Sequence, residues 1–206
     1  MTEKLNPLLL DFPAELRGER VLLRAFRDDD ATALWDAVDS SRQLLKRWMP
    51  WVDEHSSLEF SREYVRRMQA KWTLREDLPM GIWRRADGRL LGACGLHRID
   101  WTVPAMESGY WLRPDAQGHG YTTEAVRLLV RFAFDQLHAE RLEIRCDAQN
   151  GRSAALPKRL NFVHEATLRC ARRNVDLELG DTMVFALTRN DFETLQAATS
   201  SRKIIS

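Results

Sequence analysis

The segment from Glu107 to Leu137 restricts the fold more than any other part of the chain. Glu107 to Leu112 reads as a strand. From about Thr123 to Leu137, the residues Ala125, Val126, Leu129, Val130, Ala133 and Leu137 recur at helical spacing, so one stripe of a helix must be covered. Between them lies Gln117-Gly118-His119-Gly120-Tyr121-Thr122. Two glycines let the backbone turn so tightly that several N–H groups converge. The helix that follows adds its own unpaired N–H groups and the positive end of its dipole. Such a turn can hold a phosphate or pyrophosphate, and it can equally be a plain strand-to-helix connection. No Gly-Lys-Ser/Thr follows, so it is not a P-loop. Thr123 stands where a dinucleotide fingerprint needs its last glycine.

The rest of the chain alternates strand and helix patterns, which predicts a single α/β domain over 1–206, its core at about 17–193. Arg20 to Phe26 alternates as a half-buried strand. Asp28 to Asp30 then opens a helix carrying Ala31, Leu34, Trp35 and Val38. Leu44 to Val52 is aromatic and broken by Pro50, so a loop or short helix is expected. Ser56 and Glu59 match a capping box, and the helix they open places Phe60, Tyr64, Met68 and Trp72 on one face, Val65 beside them. Met80 to Arg85 and Arg89 to Arg98 read as strands joined by the hairpin signal Asp87-Gly88. Arg141 to Asp147 alternates cleanly, Ser153 to Leu160 reads as a short helix, and Phe162 to Leu168 and Asp181 to Thr188 as closing strands. The polar tail after Phe192 is expected to fray.

Composition excludes several classes. A chain of 206 residues buries about 70% of its unfolded surface and needs no staple. The net charge of +1 indicates no sequence-wide attraction for nucleic acid. Cys94, Cys146 and Cys170 are odd in number and form no CxxC pair, so reduced thiols are expected. The five histidines show no ligand spacing, and no metal site is expected. Near the N-terminus, Glu3, Lys4 and Asp11 surround an apolar run, Leu8 to Leu10, that is too short for a signal core. No stretch approaches the ~18 apolar residues of a membrane span. A cytoplasmic protein without membrane contact, monomeric or homodimeric, is the default expectation.

A second constellation, Asn150-Gly-Arg-Ser153-Ala-Ala-Leu156 ending in Leu160-Asn161-Phe162, follows a strand. Asn150 is a natural helix N-cap with Ser153 at the third helical position. Taken with Gln117 to Thr122, it resembles the GCN5-related N-acetyltransferase (GNAT) family. That family's loop reads Q/R-x-x-G-x-G/A, and its next motif reads N-x-x-S, an apolar residue, then G-F. GERVLLRAFRDDDA, RWMPW, ESGYWL, TTEA and DTMVFAL resemble its RimJ/RimL-type branch, which acetylates ribosomal-protein N-termini. The resemblance covers nearly the whole chain. It implies a mixed, mostly antiparallel sheet, flanked by helices, whose fourth and fifth strands run parallel and splay apart around coenzyme A.

By resemblance, the pyrophosphate sits on Gln117, Gly118, His119, Gly120, Tyr121 and Thr122, with His119 facing solvent. Leu112 and Arg113 meet the pantetheine and thioester, and Asn150 and Ser153 complete the cofactor site. Thr122 and Asn161 depart from the family pattern. Thr122 must turn its side chain away from the phosphates, and Asn161 is suited to a left-handed helix end. Pro157 is expected to lie within the first helical turn, where its missing N–H costs little. A side chain at Gly120 is expected to occupy the pyrophosphate site.

The reaction implied is attack of a neutral amine on acetyl-CoA. A lysine amine with pKa about 10.4 costs roughly 4–5 kcal/mol to deprotonate at pH 7, an α-amine near 7.8 about 1. Glu107 is the candidate base, the alternative being an edge carboxylate paired with an arginine. Ser153 is the candidate donor to the leaving thiolate. Arg172 stands where some RimL-type enzymes carry a glutamate. Trp35, Trp48 and Trp51, with Met49 and Trp72, are candidates for the acceptor pocket. The acceptor is a small-molecule amine or a peptide N-terminus, and the competing reading is a catalytically weak CoA-binding sensor.

Overall fold

A computed structural model describes residues 6–174 and 176–204, with side chains as far as 198. Glu3 and Lys4 of the N-terminal segment lie outside the described residues. The strands are β1 (Glu15–Arg17), β2 (Val21–Ala25), β3 (Leu78–Arg84), β4 (Leu90–Asp100), β5 (Ala105–Leu112), β6 (Arg141–Asp147), β7 (Val163–Arg173) and β8 (Leu179–Thr188). They form one sheet in the order β1-β2-β3-β4-β5-β6-β8-β7. The helices are α1 (Ala31–Asp39), α2 (Arg42–Lys46), α3 (Leu58–Thr73), α4 (Tyr121–Arg131), α5 (Gly151–Arg159) and α6 (Arg189–Ile204).

Among the described residues β5 and β6 are the one parallel pair, linked by the crossover through α4 that such a pair requires. The expected mixed, mostly antiparallel sheet is therefore present. The pair is fifth and sixth in chain order, because short β1 precedes the strands read from the sequence. Pairing covers Ala105↔Arg141, Met106↔Leu142 and Glu107↔Glu143 and then stops. Beyond that point β5 stays with β4 as far as Gly92↔Leu112, and β6 stays with β8 as far as Asp147↔Thr182. A wedge opens between them, and its two facing strand edges do not satisfy each other.

Alternation along the strands makes two cores. Met106, Leu112, Leu142 and Ile144 face α4, whose Ala125, Val126 and Leu129 cover them. Ala93 and Trp111 face the other way, against the core built by Leu34 and Val38 of α1 and Val65 of α3.

Several local expectations are corrected. α3 is capped by Ser57, whose Oγ accepts from Phe60 N at 3.1 Å, not by Ser56. Its buried line is Ser61, Val65 and Met68, because the Ser61 hydroxyl is satisfied by His55 Nε2 at 2.5 Å and can be buried. α4 begins at Tyr121, two residues earlier than read. Gly120 caps it at φ +79°, and a wider π-type turn, Phe132–Gln136, follows it. The tail does not fray at Phe192: α6 runs on to Ile204, anchored by Phe192 stacked on Phe134 at 4.7 Å and by Thr188 Oγ1 donating to Asp191 Oδ2. Asn161 does adopt the left-handed conformation, φ +62°.

Pro157 lies in the second half of α5, not in its first turn. Without an N–H it leaves the carbonyl of Ser153 unpaired within the helix. The Tyr110 hydroxyl of β5 donates to that carbonyl at 3.0 Å. The proline is thus tolerated through a bond that also ties α5 to the wall of the wedge. Tyr110→Phe should cost about 1–2 kcal/mol in urea denaturation, since it orphans a half-buried acceptor. In a Pro157→Ala background the new N–H can reach the same carbonyl, and the cost should fall by about half. An equal cost in both backgrounds would mean that the hydroxyl does not serve this carbonyl.

Candidate active site

The glycine loop closes the open end of the wedge. Gly118 and Gly120 sit at φ +82° and +79°, and a Cβ on Gly118 would meet nothing within 4 Å. A Cβ on Gly120 would lie 3.3 Å from Arg20 Nη2, and any side chain there would be strained at that φ. The loop is held on both sides. Arg20 donates to the His119 carbonyl at 2.8 Å and pairs with Glu124 of α4 at 2.9 Å. The Gln117 side chain donates to the Leu112 carbonyl at 3.2 Å and accepts from Arg152 of α5. Arg113 pairs with Asp115 at 3.3 Å. His119 is exposed; Tyr121 and Thr122 are half-buried in the first turn of α4. Loop N–H groups and a helix N-terminus together favour an anion.

At the open end of the wedge, just past β6, Asn150 caps α5, its Oδ1 accepting from Ser153 N at 3.0 Å. The capping reading of Asn150 and Ser153 therefore holds, and it uses the Ser153 N–H and not its hydroxyl. That hydroxyl lies 3.4 Å from the Tyr110 hydroxyl. Burial holds the Tyr110 pKa up at about 12, so the phenol stays protonated. Tyr110 was not singled out from sequence; its position across from the N-x-x-S segment is visible only once β5 and α5 are packed.

The opposite face of β5 carries Glu107 and Trp111. Glu107 Oε2 is approached by Arg98 at 3.3 Å and Arg145 at 3.6 Å, as the edge-carboxylate alternative requires. Arg172 bridges Asp147 at 3.3 Å and the Trp48 carbonyl at 3.4 Å, joining β7, β6 and the loop after α2 across the mouth of the wedge. Trp51, the most exposed of the expected tryptophans at 37%, lies 6.2 Å from Trp111. The two help to line a cavity of about 120 Å³ with Phe26, His55, Tyr64 and Ala93. Trp35 stands behind it, stacked on His55 at 6.4 Å. Trp72 does not belong to it: that ring packs on Phe12 at the far core, because the end of α3 passes over β3.

Two histidines were missed. His55 is buried among Trp35, Trp51, Phe60 and Tyr64. His97 faces Glu107 across the β4–β5 pairing and binds Asp77 through Nδ1 at 2.5 Å. Period-two alternation could have placed His97 on the Glu107 face, but nothing in the sequence pairs it with Asp77. Among the described residues no cluster of potential metal ligands occurs, and no helix is long and apolar enough to cross a membrane.

Comparison with known proteins matches residues 20–163 to the family model described as acetyltransferase (GNAT) domain. YdaF of Bacillus subtilis, provisionally named a ribosomal N-acetyltransferase, is 30% identical over 156 residues, 74% of this chain and 82% of that protein. The ribosomal-protein-serine acetyltransferase of Escherichia coli is 24% identical over 156 residues, 75% of this chain and 85% of its own. In fold, the chain resembles the structure of RimL, a ribosomal α-N-protein acetyltransferase, in complex with coenzyme A. The TM-score is 0.81 at 20% identity, covering 86% of this chain and 99% of that one.

Burial, reinforced by Arg42, lowers the pKa of His55 from 6.5 to about 4. The unfolded chain takes up this proton near 6.5 and the folded chain only near 4. The contribution of His55 to stability is thus complete above 6.5 and is lost as pH falls towards 4. The melting temperature should drop across that window, and His55→Gln should flatten the drop while lowering stability at pH 7.5. A variant that declines as steeply as the parent would remove His55 as the cause.

Proposed function

The chain belongs to the GNAT acetyltransferase family, and on that premise we propose that it transfers acetyl from acetyl-CoA to the α-amine of a peptide or protein N-terminus. The observation that carries this reading is the wedge: two strand edges left unpaired after Glu107↔Glu143, with a loop of left-handed glycines and a helix N-terminus at its end. The residues present fit coenzyme A. The free edge of β5 up to Leu112 can pair with an extended amide-bearing chain, as a strand would. Gly118 opens onto space, and the N–H groups from His119 to Thr122 can take a pyrophosphate. Arg113, beside that edge, and Asn150, capping α5, flank the same path. Coenzyme A, when bound, supplies an acetyl thioester to the wedge.

Ser153, backed by the protonated Tyr110, is positioned to give a proton to a leaving thiolate. Glu107 is assigned to the binding of the acceptor's ammonium group, since Arg98 and Arg145 fix the carboxylate by one oxygen. Trp51 lines the acceptor cavity, with Trp35 and Trp48 supporting it. The α-amine is favoured because it loses its proton at a cost of about 1 kcal/mol, against roughly 4–5 for lysine. The names of the relatives point to the same acceptor. A cytoplasmic setting is part of this reading, supported by three free cysteines.

The test is thiol release from acetyl-CoA with a panel of free N-terminal peptides, polyamines and aminoglycosides. Peptides with a free α-amine should turn over, and the same peptides with a blocked N-terminus should not. Tight CoA binding with no turnover on any amine would favour a CoA-binding module. Gly120→Val should weaken CoA binding at least tenfold, because a β-branched residue is strained at φ +79° and crowds Arg20; unchanged affinity by calorimetry would dissociate this loop from the cofactor. Glu107→Gln should raise KM for the amine about tenfold more than it lowers kcat. A fall confined to kcat would make Glu107 the base.

A further inference from the structure

His97 and Asp77 stand beside the wedge and have no part in the roles described above. His97 lies on β4 directly opposite Glu107, on the face that carries Ala93 and Trp111. Its ring rests over two glycines. A Cβ on Gly95 would come within 3.0 Å of both Cε1 and Nε2, and one on Gly109 within 3.4 Å of Nε2. Either side chain would displace the imidazole. Gly109 is the second residue past the last β5–β6 pair, so the ring edge bearing Nε2 is held at the opening of the wedge. Nδ1 is bound to Asp77 Oδ1 at 2.5 Å, while among the described residues Nε2 has no hydrogen-bond partner. The imidazole is 35% exposed and its carboxylate partner 18%. That is the arrangement of an oriented base: one nitrogen fixed by a carboxylate, the other without a hydrogen-bond partner among the described residues and covered only by two glycines.

We propose that His97, oriented by Asp77, accepts the proton from the attacking amine. This rests on the acetyltransferase reading above. The acceptor arrives as an ammonium ion and loses one proton to Nε2. The freed lone pair forms the C–N bond at the thioester carbon, and the C–S bond breaks with its electron pair passing to sulfur. The remaining surplus proton on nitrogen balances the thiolate, delivered through Ser153 on the opposite face of β5. The proton on His97 then leaves to water. Asp77 is the positioning residue: it fixes the tautomer and stabilises the imidazolium.

The charged surroundings are mixed. Asp77 and, across the strands, Glu107 are the acidic groups that face it. Arg98 beside it, Arg145 on β6 and Lys71 on α3, whose Nζ is 3.8 Å from Asp77 Oδ2, are the basic ones. Tyr64 of α3 adds no charge, because burial and then Asp77 raise its pKa to about 12.

The experiment compares His97→Gln and Asp77→Asn with the parent enzyme on a turned-over peptide. His97→Gln should lower kcat by about 100-fold, erase the acid limb of the pH–rate profile and leave the Kd for CoA unchanged. Asp77→Asn should lower kcat by about tenfold and keep a displaced acid limb. A second readout needs neither substrate nor turnover. Long-range ¹H–¹⁵N spectra of histidine-labelled protein, assigned by the signal absent from His97→Gln, should show the neutral proton on Nδ1. A proton on Nε2, or an unaltered acid limb in His97→Gln, overturns the dyad and leaves the acetyltransferase reading intact. A parent enzyme that binds CoA but acetylates no amine overturns that reading, and the dyad with it.

Discussion

The parallel pairing of β5 with β6 stops after Glu107↔Glu143, and the site depends on that stop. Paired further, the two strands would satisfy each other's N–H and C=O groups and leave nothing for a ligand. Each strand instead stays bonded to its outer neighbour, β4 or β8, while turning from the other. The backbone itself becomes the binding surface, and an extended amide chain is the ligand that completes it. The cost of an open sheet interior is carried by the flanking cores. Phe185, Leu142 and Leu129 are fully buried in the core under the opening, and Val38 and Val65 in the core on the other face.

An opening of this kind has to be held at fixed width, and long-range polar ties do so. Arg20 bonds the His119 carbonyl and Glu124, fastening the loop and the start of α4 to β2. Gln117 spans from the end of β5 to Arg152 on α5, across the wedge. Tyr110 reaches the Ser153 carbonyl that Pro157 frees. Arg172 ties Asp147 to the Trp48 carbonyl on the acceptor side. Ties of this sort contribute modest free energy each, about 0.5–1.5 kcal/mol net, but they set the distance between the walls.

Period and punctuation made the strands and helices legible, because a two-sided sheet forces alternation and a covered helix forces a stripe. Arg141–Asp147 has the bounds that alternation predicts, since Leu142, Ile144 and Cys146 are the buried face. The glycine loop was legible because only glycine sits easily at φ near +80° twice in three residues. What stayed hidden was tertiary. Three-residue β1 has too few positions to show a period. Pro157 looked misplaced because its compensating donor is 47 positions away at Tyr110. Ser61 on the buried line of α3 breaks the apolar stripe, and its bonds to His55 and to the Ser57 carbonyl explain it. The Asp77–His97 contact joins the residue just before β3 to one on β4, with no spacing signature at all.

The two faces of β5 divide the chemistry. Residues with even numbers, Met106, Ser108, Tyr110 and Leu112, look towards α4 and α5; Glu107, Gly109 and Trp111 look towards α1 to α3. A thioester lying along the free edge of β5 has both faces of the strand beside it. A hydroxyl pair, Tyr110 and Ser153, borders one side, and a histidine, two glycines and a bound carboxylate border the other. In the proposed mechanism, amine and leaving thiolate would lie on opposite sides of one carbon, each next to a group suited to its proton. The geometry also explains why the acceptor side can be apolar. If His97 and Glu107 take the proposed roles, the cavity between Trp51 and Trp111 need only match the shape of the residue that carries the amine.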